Sequence, residues 1–507
     1  MISQGLLPYQ YQEEKSESGM TALAGLPAYL DLAFAAGLPQ SIGKHVGVRA
    51  GSQGWTDAQE VMSLLLLNLA GGDCVDDLRV LEKDEGFARL MRRVETQGMS
   101  RQQRRALQRR WRKERKRAVP SPSAAFRYLA AFHDKAEEKK RRDGVAFIPA
   151  PNAHLLGLYR VNDGIVAFDQ KNAPRTEATL EMDATLVESH KRDALHCYQG
   201  YRSYQPLNVY WREKDLIVRS EFRDGNVPAQ FENLRVLRET LDELPEGVET
   251  VFFRSDTAAY QQEVLRYCAE GKNERFGVIR FAVGADVTLE FKRAAATVSE
   301  WKPLRREVDG KFVATGQEWA EVIYVPHWAG YSKKAPDYRF LAIREPLRQL
   351  ELPDMPQQQT FPFPVMDFGE ASRYKVFGLV SNRHDLDGEK LIWWSRERCG
   401  RAEAAHSAMK EDLAGGVLPS GSFGENAAWW SIMILAYNLN SIMKRHALGK
   451  RWADKRMKAI RFAVINLPGR VMKHARQLVV RIAAGHPSLP LLVEARGKIL
   501  ALARAPD

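Results

Sequence analysis

Cysteine is scarce in this chain, and what there is lies scattered. Cys74, Cys197, Cys268 and Cys399 include no CxxC pair. Their spacing argues against a disulfide framework or a structural zinc site and for a reducing compartment. His190, His196 and Cys197 can be drawn as a metal cluster, but scattered residues of these types are more often structural. Long apolar runs are also missing. The longest, WWSIMILAYNLNSIM, is interrupted by Asn438 and Asn440 and is too short to span a bilayer. The opening MISQGLLPYQYQEEK lacks the basic-then-apolar layout of a signal peptide. GVLPSGSFG has glycines but no GxxxxGK[ST] pattern, so it reads as a loop and not as a nucleotide-phosphate cradle. No serine has a nucleophile-elbow context, which removes support for a Ser-His-Asp hydrolase. The expected address is the cytoplasm, with no membrane association.

What is present is charge, and it is segregated. The net charge of +12 divides unevenly. Residues 101–142 carry 16 Lys/Arg against 4 Asp/Glu, and residues 444–507 carry 15 against 3. Each segment is therefore +12, and the rest of the 507-residue chain is −12. Two basic segments flanking a mildly acidic body point to a polyanionic partner, with nucleic acid the default. The run RQQRRALQRRWRKERKRA offers Arg104, Arg105, Arg109 and Arg110 as contacts to DNA phosphate. A solvated charged helix is the competing reading of the same run.

Periodicity divides the chain. The first hundred residues read as helices, with Thr56 or Asp57 as an N-cap before AQEVMSLLLLNLA and a Gly-Gly stop after it. Ser121 or Ser123 is placed to cap a helix over AAFRYLAAF. From about residue 155, GLYRVNDGIVAFD, TLEMDATLVE, LNVYWRE, LIVRSEF and ETVFFRSD read as strands, with a helix over FENLRVLRETLDEL. A second strand-rich stretch, about 284–375, holds Trp301, Trp319 and Trp328. Helices return in SRERCGRAEAAHSAMKEDLAGG and SFGENAAWWSIMILAYNLNSIMKRHAL. Tandem Trp393-Trp394 and Trp429-Trp430 read as core packing. This order argues for a mixed α/β core.

Asp183 is out of place on that pattern. Asp is among the poorest strand formers, yet it sits inside the alternating TLEMDATLVES. Asp256 directly follows the apolar Val251, Phe252 and Phe253. Carboxylates at strand ends face the rim of a sheet, where α/β folds usually bind ligands. Two on adjacent strands suit a hard divalent cation, and a two-metal site, with ions about 3.5–4 Å apart, serves phosphodiester chemistry. A third carboxylate is then needed. Glu397, Glu403, Glu411 and Asp412 all compete for that place, and spacing alone does not choose.

Taken together, GWTDAQEVMSLLLLNLAGGDCVDDL, LEMDAT, FFRSDTAAY, RAEAAHSAMKEDL and FGENAAWWSIMILAYNL resemble the DDE transposases of bacterial insertion sequences, in particular the "thirteen-eighty" group. The resemblance implies an α/β, RNase H-like mixed-sheet core interrupted by a β-rich insertion, with helical N- and C-terminal regions. It implies a basic helical DNA-binding region over 1–154 and catalytic core over 155–283 and 376–440. The insertion then spans 284–375 and a basic helical tail 441–507. Carried over by position, Asp183, Asp256 and Glu403 become the catalytic, metal-holding triad, and Lys410 a phosphate contact. Related families place a Tyr seven residues and an Arg four residues before the Glu. Here those positions hold Arg396 and Cys399, and Arg398 or Arg401 stands close enough to substitute.

The implied function is transposition, in which Mg²⁺ (two ions, with Mn²⁺ able to substitute) supports cleavage at element ends and strand transfer into target DNA. The implied partners are double-stranded element ends and target DNA, and the implied assembly is a homodimer on DNA in a bacterial, nucleoid-associated setting. The alternatives are an RNase H-like nuclease that cuts without joining and a non-catalytic DNA-binding relic. A hairpin route of cleavage would call for an exposed aromatic in the insertion; of the three tryptophans, Trp301 in the polar VSEWKPLRRE is the best candidate and Trp319 in EWAEVIYV reads as packing, with core packing of all three the competing and favoured reading.

Overall fold

The computed structural model describes residues 18–504 apart from 52, 192, 330–336, 348–362, 369–372 and 476. The opening segment read against a signal peptide lies outside the described residues up to residue 17.

The fold is organised by one ten-stranded mixed sheet. Its strands are β1 (Glu177–Ala184), β2 (Leu207–Trp211), β3 (Leu216–Glu221), β4 (Thr250–Ser255) and β5 (Arg280–Ala285), followed by β6 (Lys302–Val308), β7 (Lys311–Val322), β8 (Arg339–Pro346), β9 (Val365–Asp367) and β10 (Arg373–Ser381). They lie in the order β6-β7-β8-β10-β5-β4-β1-β2-β3, with β9 on the flank of β10. The half 3-2-1-4-5 pairs β1 antiparallel to β2 and β2 to β3, and pairs β1 parallel to β4 and β4 to β5. That order and polarity are those of an RNase H-like core. The β-rich stretch does not stand apart from it. After the helix Leu289–Ala296 its strands return antiparallel to β5 through β10 and extend the same sheet outward.

Helices cover the sheet. The helix Phe423–Ile442 is buried at every position but Glu425, so its near-continuous apolar sequence is that of a core helix. It meets the sheet through Asn438, whose Oδ1 accepts from Ile217 N at 2.8 Å and whose Nδ2 donates to Asn162 Oδ1 at 2.7 Å. Trp430 Nε1 donates to Ser220 Oγ at 2.8 Å. These bonds satisfy polar groups that would otherwise be costly in a buried layer. Among the described residues no helix is long and apolar enough to cross a membrane.

The N-terminal helices form as the caps dictate. Thr56 makes a reciprocal capping box with Gln59 at the start of Asp57–Ala70, Gly71 ends that helix at φ 100°, and Ser121 caps Pro122–Leu129. The basic run is helical only over Arg101–Arg109. In the tail, the hairpin Gly469–His474 with Gln477–Ile482 joins Met20–Thr21 in a small sheet before the last helix, Ser488–Arg504.

Two local readings change. GLYRVNDGIVAFD is not a strand but the middle of a helix, Ala153–Asn172. Leu155, Leu158, Val161, Asn162, Ile165, Val166 and Asp169 are its buried face, a 3.6-residue period that a short window mistakes for alternation. The charged segment after residue 395 is not one helix either. It breaks at Cys399–Gly400, where Gly400 takes φ 98°, and its last turn, Ala408–Asp412, is π-helical. A side chain would resist the Gly400 conformation.

Candidate metal and DNA-cleavage site

β1 and β4 run parallel with Met182 paired to Ser255, so the next residues, Asp183 and Asp256, emerge side by side at the C-terminal rim of the sheet. Ser255 Oγ donates to Met182 O at 2.9 Å and fixes this register. Asp256 is further held by a bond from Ala258 N to its Oδ1 at 3.0 Å, capping the short turn Thr257–Ala259. Burial pushes the Asp183 pKa up to about 6 against the pull of Arg398, with the Asp256 charge adding to the rise. Two carboxylates pressed together in this way are short of positive charge. A cation is in fact present: Arg398 Nη1 donates to Asp183 Oδ2 at 3.0 Å.

The residues below the rim explain the polar face of β1. Glu181, which shares the face of Asp183, is buried and paired in register with the buried Arg254 of β4. The Arg254 guanidinium donates to Glu181 Oε1 and to Trp394 O, and lies 3.2 Å from Glu397 Oε2. One side chain therefore ties together the strand of Asp183, the strand of Asp256 and the segment that leads to Glu403. Glu397 also pairs with Arg212 at 2.9 Å, so this alternative third carboxylate is held by two arginines. Sequence reasoning missed Arg254, whose only local signal is an arginine two residues before the Asp in FFRSD.

The helix Arg398–Ser407 turns Ala402, Ala405 and His406 inward. His406 Nε2 lies 3.3 Å from Asn208 Nδ2, and Asn208 is the β2 partner of Asp183. Burial drives the His406 pKa down to about 4, with Lys410 and Arg398 adding repulsion, so at neutral pH it is an uncharged neighbour of the acidic pair. Glu403 lies on the flank of that inward face and is exposed. Among the described residues no three His, Cys, Asp or Glu side chains come together as a metal-holding group. The sheet thus gathers Asp183 and Asp256, while Glu403 is carried on the helix beside them. Lys410 reaches the same rim, with Nζ 3.3 Å from Leu186 O. Arg401 is exposed on the same helix as Glu403.

A divalent cation fits this chemistry. The donors are hard carboxylate oxygens, the Asp183 charge is unfavourable without a counter-ion, and a guanidinium already stands in for one.

The N-terminal arginines separate into two kinds. Arg104, Arg105 and Arg109 are exposed on Arg101–Arg109. Arg110, expected with them, turns back instead: Nε donates to Gly54 O at 3.0 Å and Nη2 to Arg49 O at 3.1 Å. Its donors hold the loop before Asp57–Ala70, which makes it a structural tie.

Three aromatic expectations also resolve. Trp301 is half-buried with Arg344 4.2 Å from its ring centre and Phe368 edge-on at 5.3 Å. It is not the open platform that its polar neighbours suggest, because a guanidinium covers the ring. Trp319 is buried, and Trp328 packs edge-on against Tyr260 and Tyr338. Trp429 and Trp430 are core residues as read, while Trp393 and Trp394 are half-buried against a smaller cluster.

Comparison with curated proteins finds no match. Among solved structures, a piggyBac transposase synaptic complex with hairpin DNA, determined by cryo-EM, is similar over 87% of this chain and 79% of its own, with 10% identity and a TM-score of 0.39. The sequence profile described as transposase DDE domain group 1 matches residues 57–504, across the basic helix, both aspartates and the Glu403 helix; the chain belongs to that transposase family.

Proposed function

We propose that this protein is the transposase of a bacterial insertion sequence, of the "thirteen-eighty" group, which binds its element's ends, cleaves there and joins the freed strand to target DNA. The observation that carries the reading is the side-by-side placement of Asp183 and Asp256 at the C-terminal rim of adjacent parallel strands, with the Asp183 charge raised in energy by burial. Asp183 and Asp256 would hold divalent metal, with Glu403 as the third carboxylate on the neighbouring helix. Magnesium, or manganese in its place, would supply activation of the attacking oxygen and stabilisation of the leaving one. Arg254 sets the height of the two strands and of the segment before Glu403. Neutral His406 and Asn208 wall the pair without competing for phosphate. Lys410, Arg401 and a released Arg398 would meet phosphate oxygens, the last two in place of the Arg that related families carry four residues before the Glu. Arg104, Arg105 and Arg109 would hold DNA backbone, and two copies of the chain would share a pair of ends.

The test is incubation with duplex oligonucleotides bearing the element's own ends, a target plasmid and Mg²⁺. Nicked and joined products are expected from the wild type. Asp183→Ala, Asp256→Ala and Glu403→Ala should bind the ends yet leave them intact. Cleavage without joining would make the protein a nuclease, and unimpaired cleavage by all three variants would refute the assignment of the site.

A further inference from the structure

The small sheet in the C-terminal region carries an unusual row. Arg470 is paired with Arg481 directly across the hairpin, and with Met20 on its other side. All three are exposed. Like charges directly opposite each other on one face destabilise a sheet, and among the described residues neither arginine has an acidic partner to offset this. The next residues of the same face, Met472 with Val479 and His474 with Gln477, bring no acid either.

The opposite face explains why the ribbon stands firm despite that repulsion. Val471 is fully buried, and its N donates to Gly19 O at 2.7 Å. The helix Glu85–Val94 packs against the ribbon, with Arg89 Nη1 reaching Val471 O at 3.4 Å. It approaches so closely at Gly86 that a Cβ there would stand 2.6 Å from Gly19 O. This same helix leads into Arg101–Arg109. The two basic segments, more than three hundred residues apart in sequence, are therefore mounted on one helical body.

We propose that the outer face of this ribbon, centred on the Arg470–Arg481 pair, binds the phosphate backbone of duplex DNA as a second contact surface beside Arg101–Arg109. The proposal rests on the reading of the chain as a DNA-binding transposase. A guanidinium pair with no acid beside it gains most from a ligand that brings a row of negative charges. A second copy of the same face would bring the same positive row and be repelled. The surface reads no base sequence, because nothing about it needs more than phosphate oxygens.

The experiment measures the affinity of the full chain for a random-sequence duplex as salt is raised. Comparison is with Arg470→Gln/Arg481→Gln and with Arg496→Gln/Lys498→Gln. The second double variant removes the same charge from the last helix, where Arg496 pairs with Asp31 and Lys498 with Glu494. Losing two phosphate contacts should reduce the slope of log affinity against log salt by about 1.8 in the ribbon variant and by much less in the control. Thermal unfolding of the ribbon variant should be unchanged or raised, since a repulsive pair has gone; a purely structural role predicts the reverse. Equal slopes for the two variants, or a ribbon variant that matches the wild type, would overturn the proposal while leaving the transposase reading standing. So would loss of self-association with the DNA slope intact, which would make the face a contact between chains. A wild-type affinity that does not depend on salt would overturn the DNA-binding reading itself.

Discussion

Arg398 Nη1 and Asp183 Oδ2 stand 3.0 Å apart although 215 positions separate the two residues in the chain. The guanidinium takes up one oxygen of the carboxylate, and Arg398 stands just before the helix break at Cys399–Gly400. A cation that binds Asp183 must compete with it. Arg398→Gln should therefore tighten Mn²⁺ binding, measured by calorimetry without DNA, by roughly two- to fivefold, the range of a partly exposed ion pair. Weaker or unchanged binding would mean that the guanidinium does not stand in the cation's place.

Arg254 is expected to matter as much for stability as for the site. Arg254→Met strands the buried Glu181 carboxylate without its partner, a change that costs about 3–5 kcal/mol in comparable buried pairs. Adding Glu181→Met should recover most of the loss, because a buried pair replaced as a whole by apolar groups is often neutral. Denaturant titration of the single and double variants checks this. A double variant no more stable than the single would contradict the pairing.

Glu60 offers a pH test away from the site. It is fully buried in the helix Asp57–Ala70, with neither carboxylate oxygen hydrogen-bonded and Arg49 Nη2 at 3.9 Å. Burial raises its pKa to about 7, opposed by Arg49 and helped by the Asp57 charge. The folded value lies above the unfolded one, so the stabilising contribution is complete below about pH 4.5 and is lost as pH rises through about 7. Glu60→Gln does not titrate. Its stability relative to wild type should improve between pH 5 and pH 8 by on the order of 3 kcal/mol; thermal melts at both pH values showing a constant difference would count against the shift.

The basic helix separates two kinds of arginine by their salt response. Replacing Arg104, Arg105 and Arg109 together by Gln should lower the salt slope of DNA binding by up to about 2.7 and leave the melting temperature near wild type. Arg110→Gln should do the opposite, because it frees the Gly54 and Arg49 carbonyls and touches no phosphate. If Arg110→Gln changes the slope and not the melt, its role is contact with DNA.

Much of the site was legible because its signals are local. An aspartate in an alternating strand, and another directly after an apolar one, announce a sheet rim, and the chain's resemblance to a transposase family joins the two. The supporting residues were not legible in the same way. Arg254, Asn208 and His406 have roles set by partners on other elements, and no spacing in the sequence records those partners. Arg110 and Arg109 are adjacent and chemically identical; only the chain's path past Gly54 separates a structural tie from an exposed cation. Between packing and exposure, the sequence could not choose for Trp301 for the same reason, since its polar sequence neighbours say nothing of Arg344 laid across its ring. The helix Ala153–Asn172 was lost to a short window, where Leu, Val and Ile happened to alternate with polar residues for a few positions.

The place of Phe423–Ile442 in the chain has a consequence for synthesis. β1 to β5 are complete by residue 285, but this helix, which seals β3 and packs along Ala153–Asn172, follows well over a hundred residues later. Until it leaves the ribosome the apolar surface it covers has no permanent neighbour, and β5 waits for β10 as well. At about 5–20 residues per second, the nascent core spends roughly ten to thirty seconds as a half-covered sheet. The order of the elements thus makes the acidic pair's scaffold a late product of translation, completed only when the closing helix has been made.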